Sequence, residues 1–249
     1  MLDFTHRADV LVITLHHGKV NALDLDLLQA LTAAVRGVDD GKALVLTGAG
    51  RAFSAGVDLR RIIDGGPSYV HEFLAALSET FLAIYDHPGP VVAAVNGHAI
   101  AGGCVIVAAC DVRLMSQGTI GLAELAVGVP FPTSAMEIMR SAVGPFVRRL
   151  ALTAILLDGS QALAVGLIDE IVEPERILDV AVQQAHKLRQ IPQEVFAFSK
   201  KQLHRPTRER ITARQAEDDA LVTELWESPG VQDATGHYLQ LLRQKSRPQ

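Results

Sequence analysis

Short apolar runs alternate with amphipathic stretches through the first half of the chain. Val10–Leu15 (VLVITL), 43–47 (ALVLT) and 90–95 (PVVAAV) are continuous apolar segments of strand length, the pattern of strands buried on both faces. Asp24 is placed to cap a helix carrying Leu27, Leu28, Leu31, Ala34 and Val35, with Gly37 near its end. Residues 68–85 repeat apolar side chains at 70, 73, 74, 77, 81 and 84, and His87-Pro88-Gly89-Pro90 stops that helix. Asn96-Gly97 is a turn signal, and 102–110 reads as a helix apolar on nearly every side. Strands separated by helices predict parallel pairing with right-handed crossovers.

Helix patterns dominate the second half: 133–142, 145–157, 160–165, 174–189, 192–203, 206–226 and 231–244. Pro145, Pro174, Pro192 and Pro206 stand where helices start. Only 167–172 reads as strand. No repeat or Gly/Ser linker divides the chain. An α/β fold is expected, with an αβ core over 1–190 and a helical part over 191–249. The helices exceed what one core needs, so some are expected to pack on other subunits.

Composition narrows the function. The 249 residues carry 23 Lys+Arg against 28 Asp+Glu, a net charge of −5, which disfavours nucleic-acid binding. With 49% hydrophobic and 20% charged residues the chain is that of a folded globular protein. Two cysteines, Cys104 and Cys110, exclude a disulfide scaffold and a four-cysteine zinc site, so a reduced, cytoplasmic setting is expected. The first residues lack the apolar core of a signal peptide, and no apolar run approaches the ~20 residues that span a bilayer. A soluble protein without a membrane partner is expected.

Familiar cofactor motifs are missing. Gly48-Ala49-Gly50-Arg51-Ala52-Phe53 has Phe where a dinucleotide fingerprint needs its third Gly. There is no phosphate-binding G-x-x-x-x-G-K-[ST] loop, no H-E-x-x-H and no G-x-S-x-G elbow. His16-His17 ends a strand and is expected to face a loop, and no metal site is expected.

Three segments keep chemical potential. Phe53-Ser54-Ala55-Gly56-Val57-Asp58-Leu59 follows the second strand, and Ala101-Gly102-Gly103-Cys104 runs directly into the apolar helix. A helix start presents unpaired N–H groups and partial positive charge, which suit an oxyanion if a second N–H converges on it. The same glycines equally fit tight helix–strand packing. The third segment, 121–132 (GLAELAVGVPFP), holds Glu124, the only charge between Arg113 and Glu137. If buried, that carboxyl has a raised pKa suited to proton transfer. A surface or backbone-capping role is the alternative.

Together these segments resemble the crotonase (enoyl-CoA hydratase/isomerase) superfamily. The resemblance also covers Lys19-Val20-Asn21-Ala22-Leu23, Ala43 to Gly48, Pro90 to Gly97, Cys110-Asp111 and Ala164 to Asp169, and so nearly the whole chain. It implies a crotonase (ClpP-like) fold, a spiral of repeated β-β-α units with a C-terminal helical trimerisation part. It implies an acyl-CoA thioester substrate with no further cofactor, because coenzyme A arrives with the substrate. It places oxyanion donors at the backbone N–H groups of Val57 and Gly102, and coenzyme A along Ala55, Gly56, Val57, Asp58 and Leu59.

Hydratases of the family use two glutamates, whose positions here are Val105 and Glu124. With one carboxylate and an apolar wall at Val105, the sequence looks like the family's Δ3,Δ2-enoyl-CoA isomerases, in which a single base moves a proton from C2 to C4. A hydratase, another reaction of the family, and a non-catalytic acyl-CoA binder are the alternatives. The basic run Lys200, Lys201, His204, Arg205, Arg208 and Arg210 fits RNA, coenzyme A phosphates or a solvated face. The resemblance also implies a homotrimer or a hexamer built as a dimer of trimers.

Overall fold

The computed structural model describes residues 1–39 and 41–245. The chain opens with β1 (Leu2–Arg7), β2 (Val10–Leu15) and α1 (Leu25–Arg36). Three strand–strand–helix units follow. They are β3 (Ala43–Gly48), β4 (Ala52–Ser54) and α2 (Leu59–Tyr85); β5 (Val91–Val95), β6 (His98–Ile100) and α3 (Gly102–Ala108); and β7 (Val112–Met115), β8 (Ile120–Gly121) and α4 (Glu124–Val127). The remainder is α5 (Thr133–Val143), a 3-10 turn (Gly144–Phe146), α6 (Val147–Thr153), β9 (Leu156–Leu157), α7 (Gly159–Ala164), β10 (Glu170–Ile171), α8 (Ile177–Arg189), α9 (Gln193–Glu227) and α10 (Pro229–Lys245).

The two strands of each unit go to different sheets. The longer first strands join a six-stranded sheet ordered β1-β2-β3-β5-β7-β10, and the short second strands join a four-stranded sheet ordered β4-β6-β8-β9. All pairs are parallel except β1 with β2 and β8 with β9. This is the spiral of β-β-α units that the resemblance implies.

The unbroken apolar character of β2, β3 and β5 has a direct cause. Ile13, Leu15, Leu44, Leu46 and Ala93 point into the main core with α1, α2 and α3. Their alternates Val12, Val45, Val92 and Ala94 point the other way, against Ala181 and Ala185 of α8. A strand covered on both faces has no polar side to show. α1 starts as predicted: the Asp24 carboxylate accepts from the Leu27 N–H at 2.9 Å, a cap worth ~1 kcal/mol.

Several elements depart from the sequence reading. β1 was not expected, because its residues are nearly all exposed. The strands of the second sheet have two or three residues each, too few for a periodicity. α2 begins at Leu59 rather than 68, and Gly66 (φ 67°, ψ −167°) breaks its course just before Pro67. Pro206 does not start a helix but lies inside the continuous α9. The segment expected as one helix over 145–157 is a 3-10 turn, α6 and then β9, and the strand expected over 167–172 is only Glu170–Ile171.

The helical part expected over 191–249 is described as far as residue 245. It does not stand apart from the core. α9 packs on α5 and α2, and α10 on α4 and α2, all of the same chain. Phe198, Leu203 and Leu221 remain exposed on its outer side. Among the described residues no helix is long and apolar enough to cross a membrane. Cys104 and Cys110 are free and buried, and burial pushes both thiols above their usual range.

Candidate active site

The three chemically suggestive segments occupy the same place in the three successive units. Val57 follows β4, Gly102 follows β6 and Glu124 follows β8. Those strands are parallel neighbours in the small sheet, and adjacent strands lie ~4.8 Å apart. Their carboxyl ends therefore bring three residues, distant in sequence, to one edge. This is the usual place for a site in a parallel sheet.

The first two turns are in direct contact. A Cβ on Gly56 (φ +85°) would lie 2.8 Å from both the Ile100 carbonyl oxygen and the Ala101 Cβ, so only glycine allows the approach. A Cβ on Gly103 would lie 2.7 Å from the Ser54 carbonyl oxygen. Packing and chemistry therefore share these glycines: closeness of the backbones is what lets two N–H groups serve one oxygen. Ala101, at φ 54° and ψ −124°, holds a strained conformation at the entrance to α3.

The Val57 N–H is left free by the pairing around it. Leu23 donates its N–H to the Gly56 carbonyl at 2.7 Å and accepts from the Asp58 N–H at 2.8 Å. That parallel bridge turns the N–H of Val57 away from Leu23. Among the described residues, neither the Val57 N–H nor the Gly102 N–H, at the first position of α3, has a protein acceptor. The supporting segment is itself locked by Asn21, buried at φ 51°. The Asn21 Nδ2 donates to the carbonyls of Ala52 and Phe53 at 2.9 and 3.2 Å, and its Oδ1 accepts from the His17 N–H at 2.9 Å.

Glu124 is the buried carboxyl of the site. It is 7% exposed, and its Oε2 has no hydrogen-bond partner. Burial pushes its pKa up to about 7, against a weaker opposing pull from the backbone N–H groups of Glu124 and Ala123. Burial sets aside the surface alternative; the carboxyl interacts with the backbone N–H groups at the start of α4, while its Oε2 stays without a partner.

A cleft of about 320 Å³ runs past these groups. Of the residues expected to hold substrate, Ala55, Val57, Asp58, Leu59 and Glu124 line it. Gly56 and Gly102 do not line it; Gly56 packs against Ala101, which does, and Gly102 faces Leu23, Leu77 and Phe81. Val105 does not line it. It is fully buried in the main core, since α3 is covered on every side, and so forms no wall of the cleft. Asp58 is the second carboxylate of the lining, but its Oδ1 accepts from the N–H groups of Arg60 and Arg61 and caps α2. Trp226 and Tyr238, from α9 and α10, also line the cleft. Neither was singled out from the sequence, although Trp226 is the only tryptophan.

Two other sequence features resolve into structure. His17 faces Asp24, with Nε2 2.6 Å from Oδ2. Much of the basic run is engaged within the chain. Lys200 donates to Asp111 at 2.8 Å and to the Gly89 carbonyl at 3.3 Å, Arg210 donates to Glu137 at 2.5 Å, and Arg208 lies 3.7 Å from Asp86.

Comparison with known proteins finds a family and a fold for the chain. Residues 5–244 match the family model described as enoyl-CoA hydratase/isomerase. The chain is 28% identical to the mitochondrial enoyl-CoA delta isomerase 1 of Mus musculus, over 96% of this chain and 85% of that protein. It is 35% identical to a putative enoyl-CoA hydratase of Thermus thermophilus, over 66% of each. The crystal structure of human mitochondrial delta3-delta2-enoyl-CoA isomerase superposes with a TM-score of 0.92 at 24% identity, covering 99% of both chains.

Proposed function

The chain belongs to the enoyl-CoA hydratase/isomerase family, and from that premise we propose that it is a Δ3,Δ2-enoyl-CoA isomerase with Glu124 as its single acid/base. The N–H groups of Val57 and Gly102 donate to the thioester carbonyl oxygen of a 3-enoyl-CoA. Ionised Glu124 takes a proton from C2, and the electron pair passes to the carbonyl oxygen, where the two donors stabilise the resulting enolate. The same carboxyl, now protonated, returns the proton at C4 as the double bond moves to C2–C3. The reaction is balanced within one substrate and needs no resident metal or further cofactor.

The observation that carries this reading is the bare, buried Oε2 of Glu124 in the same cleft as Val57. Hydration needs a second carboxylate to hold and deprotonate water. The other acidic group of the lining, Asp58, is bound to the start of α2, and the position of the hydratase glutamate is Val105, inside the core. Steady-state assays with a 3-enoyl-CoA and a 2-enoyl-CoA test the proposal. Conversion of the first with little hydration of the second supports it. Efficient hydration, or binding without turnover of either, overturns it in favour of a hydratase or a plain acyl-CoA binder.

The assembly we propose is a trimer or a dimer of trimers, in the cytoplasm. Phe198 and Leu203, 60% and 76% exposed on α9, support contacts beyond the chain, and two free buried thiols fit a reducing compartment. A mass of about 27 kDa by light scattering excludes that assembly.

A further inference from the structure

We propose that Trp226 is the end wall of the acyl pocket and restricts the protein to short-chain acyl-CoA thioesters. This rests on reading the cleft as an acyl-CoA site. The Trp226 indole is 2% exposed and lines the cleft together with Val127 and Val129. Its ring centroid is 6.3 Å from that of Phe73, and its Nε1 donates to the Pro130 carbonyl at 3.1 Å. A hydrogen bond and a ring contact therefore fix the largest side chain of the lining in place.

What lies behind that side chain gives it a role beyond packing. A second cavity of about 830 Å³ opens between α2 and α9. Each of the three segments that hold the indole also reaches this second cavity through a near neighbour. On α2, Phe73 touches the indole and Leu74 lines the cavity; in the loop, Pro130 accepts its hydrogen bond and Pro132 lines the cavity; on α9, Val222 lines the cavity one turn before Trp226. The two cavities share no lining residue, and Trp226 with Phe73, Leu74 and Val222 stands between them. The cleft in front, at about 320 Å³, lies at the small end of the range for ligand pockets. An acyl tail that entered past Glu124 would meet the indole, and a smaller side chain there would extend the cleft toward the Leu74 and Val222 side of that second, larger cavity.

The test uses saturated acyl-CoAs, which bind without turnover, so it is independent of whether the enzyme isomerises. Affinity for butyryl-, hexanoyl-, octanoyl- and decanoyl-CoA is measured by calorimetry alongside the fluorescence of Trp226, the only tryptophan. Affinity should rise about fourfold per methylene until the tail meets the indole, then stop rising before decanoyl, with the emission changing at the same length. In Trp226→Leu and Trp226→Ala the decanoyl-to-butyryl affinity ratio should rise at least tenfold. The titration of the unmodified protein needs no variant, and Trp226→Leu keeps an apolar side chain if the alanine variant does not fold. An unbroken rise through decanoyl-CoA, or folded variants with an unchanged ratio, overturns the wall while leaving the acyl-CoA reading intact. Failure of every acyl-CoA to bind overturns both.

Discussion

Two carboxylates are buried beside the cleft in opposite surroundings. Asp24, 1% exposed, follows directly on the segment that supports Val57. Its Oδ1 accepts from the Leu27 N–H at 2.9 Å, and its Oδ2 lies 2.6 Å from His17 Nε2 and 3.3 Å from Arg61 Nε. Glu124 is nearly as buried, yet its Oε2 has no partner. Burial alone thus does not mark a catalytic acid. A carboxylate with both oxygens bonded holds structure, whereas one that lines a cleft and keeps an unpartnered oxygen can give and take a proton near neutrality.

The strongest way to break this comparison is to neutralise each group in turn. Glu124→Gln should lower isomerisation of a 3-enoyl-CoA by ~10²–10⁴-fold, the contribution of a positioned base. Affinity for saturated acyl-CoAs should stay within about threefold, because the oxyanion donors are backbone groups. Asp24→Asn should leave turnover of the folded protein within about tenfold. Comparable losses in the two variants would remove the distinction between them.

The second test is pH. Glu124 must be ionised to accept the C2 proton, and burial places its pKa at about 7. Turnover should therefore rise roughly tenfold per pH unit below ~6 and level off above ~8, so that pH 5 shows ~1% of the plateau rate. This limb should be absent from the residual activity of Glu124→Gln. A flat profile between pH 5 and 8 would mean that the bare oxygen is not the base.

Asp24→Ala should act on stability instead. It removes the cap of α1 and leaves His17 and Arg61 without their shared partner. Both of those side chains are part-exposed, and water takes over some of the loss, so about 2–3 kcal/mol is expected by urea unfolding. A change below ~0.5 kcal/mol would show that the fully bonded carboxylate holds nothing.

The two carboxylates also mark how far the sequence could be read. Glu124 was visible as the lone charge in a long apolar stretch, because a charge retained there needs a reason. Asp24 was visible only as a helix cap, since its tie to Arg61 depends on where α2 begins, and α2 starts nine residues before its clear periodicity. Likewise β2, β3 and β5 announce themselves by unbroken apolar runs, while β4, β6 and β8 are too short to carry a pattern. Yet it is those short strands that set Val57, Gly102 and Glu124 side by side. Trp226 escaped notice because its partners, Phe73 and Pro130, lie far away along the chain. Val105 was read as a wall of the site from its place in a motif, and the burial of α3 on every side puts it in the core instead.

The finest test sets the cost of the bare carboxyl against pH. In the unfolded chain Glu124 ionises near 4.5, and in the folded protein near 7. Below 4.5 both states hold the proton and the group costs nothing. As pH rises from 4.5 to 7 the unfolded state releases its proton first, so the native state loses stability across that window and stays lower above it. The shift sets an upper bound of about 3 kcal/mol. Glu124→Gln has no charge to desolvate, but its amide keeps an unpartnered group in the same place, so a net gain of about 1–2 kcal/mol at pH 8 is expected. At pH 4, where the parent carboxyl is protonated in both states, that gain should be gone and the variant should be no more stable than the parent in urea. A variant that is more stable only at high pH while almost inactive shows one group setting both function and its cost. Equal stability at both pH values would mean that the Glu124 carboxyl is solvated, and the explanation of its raised pKa by burial would fail with it.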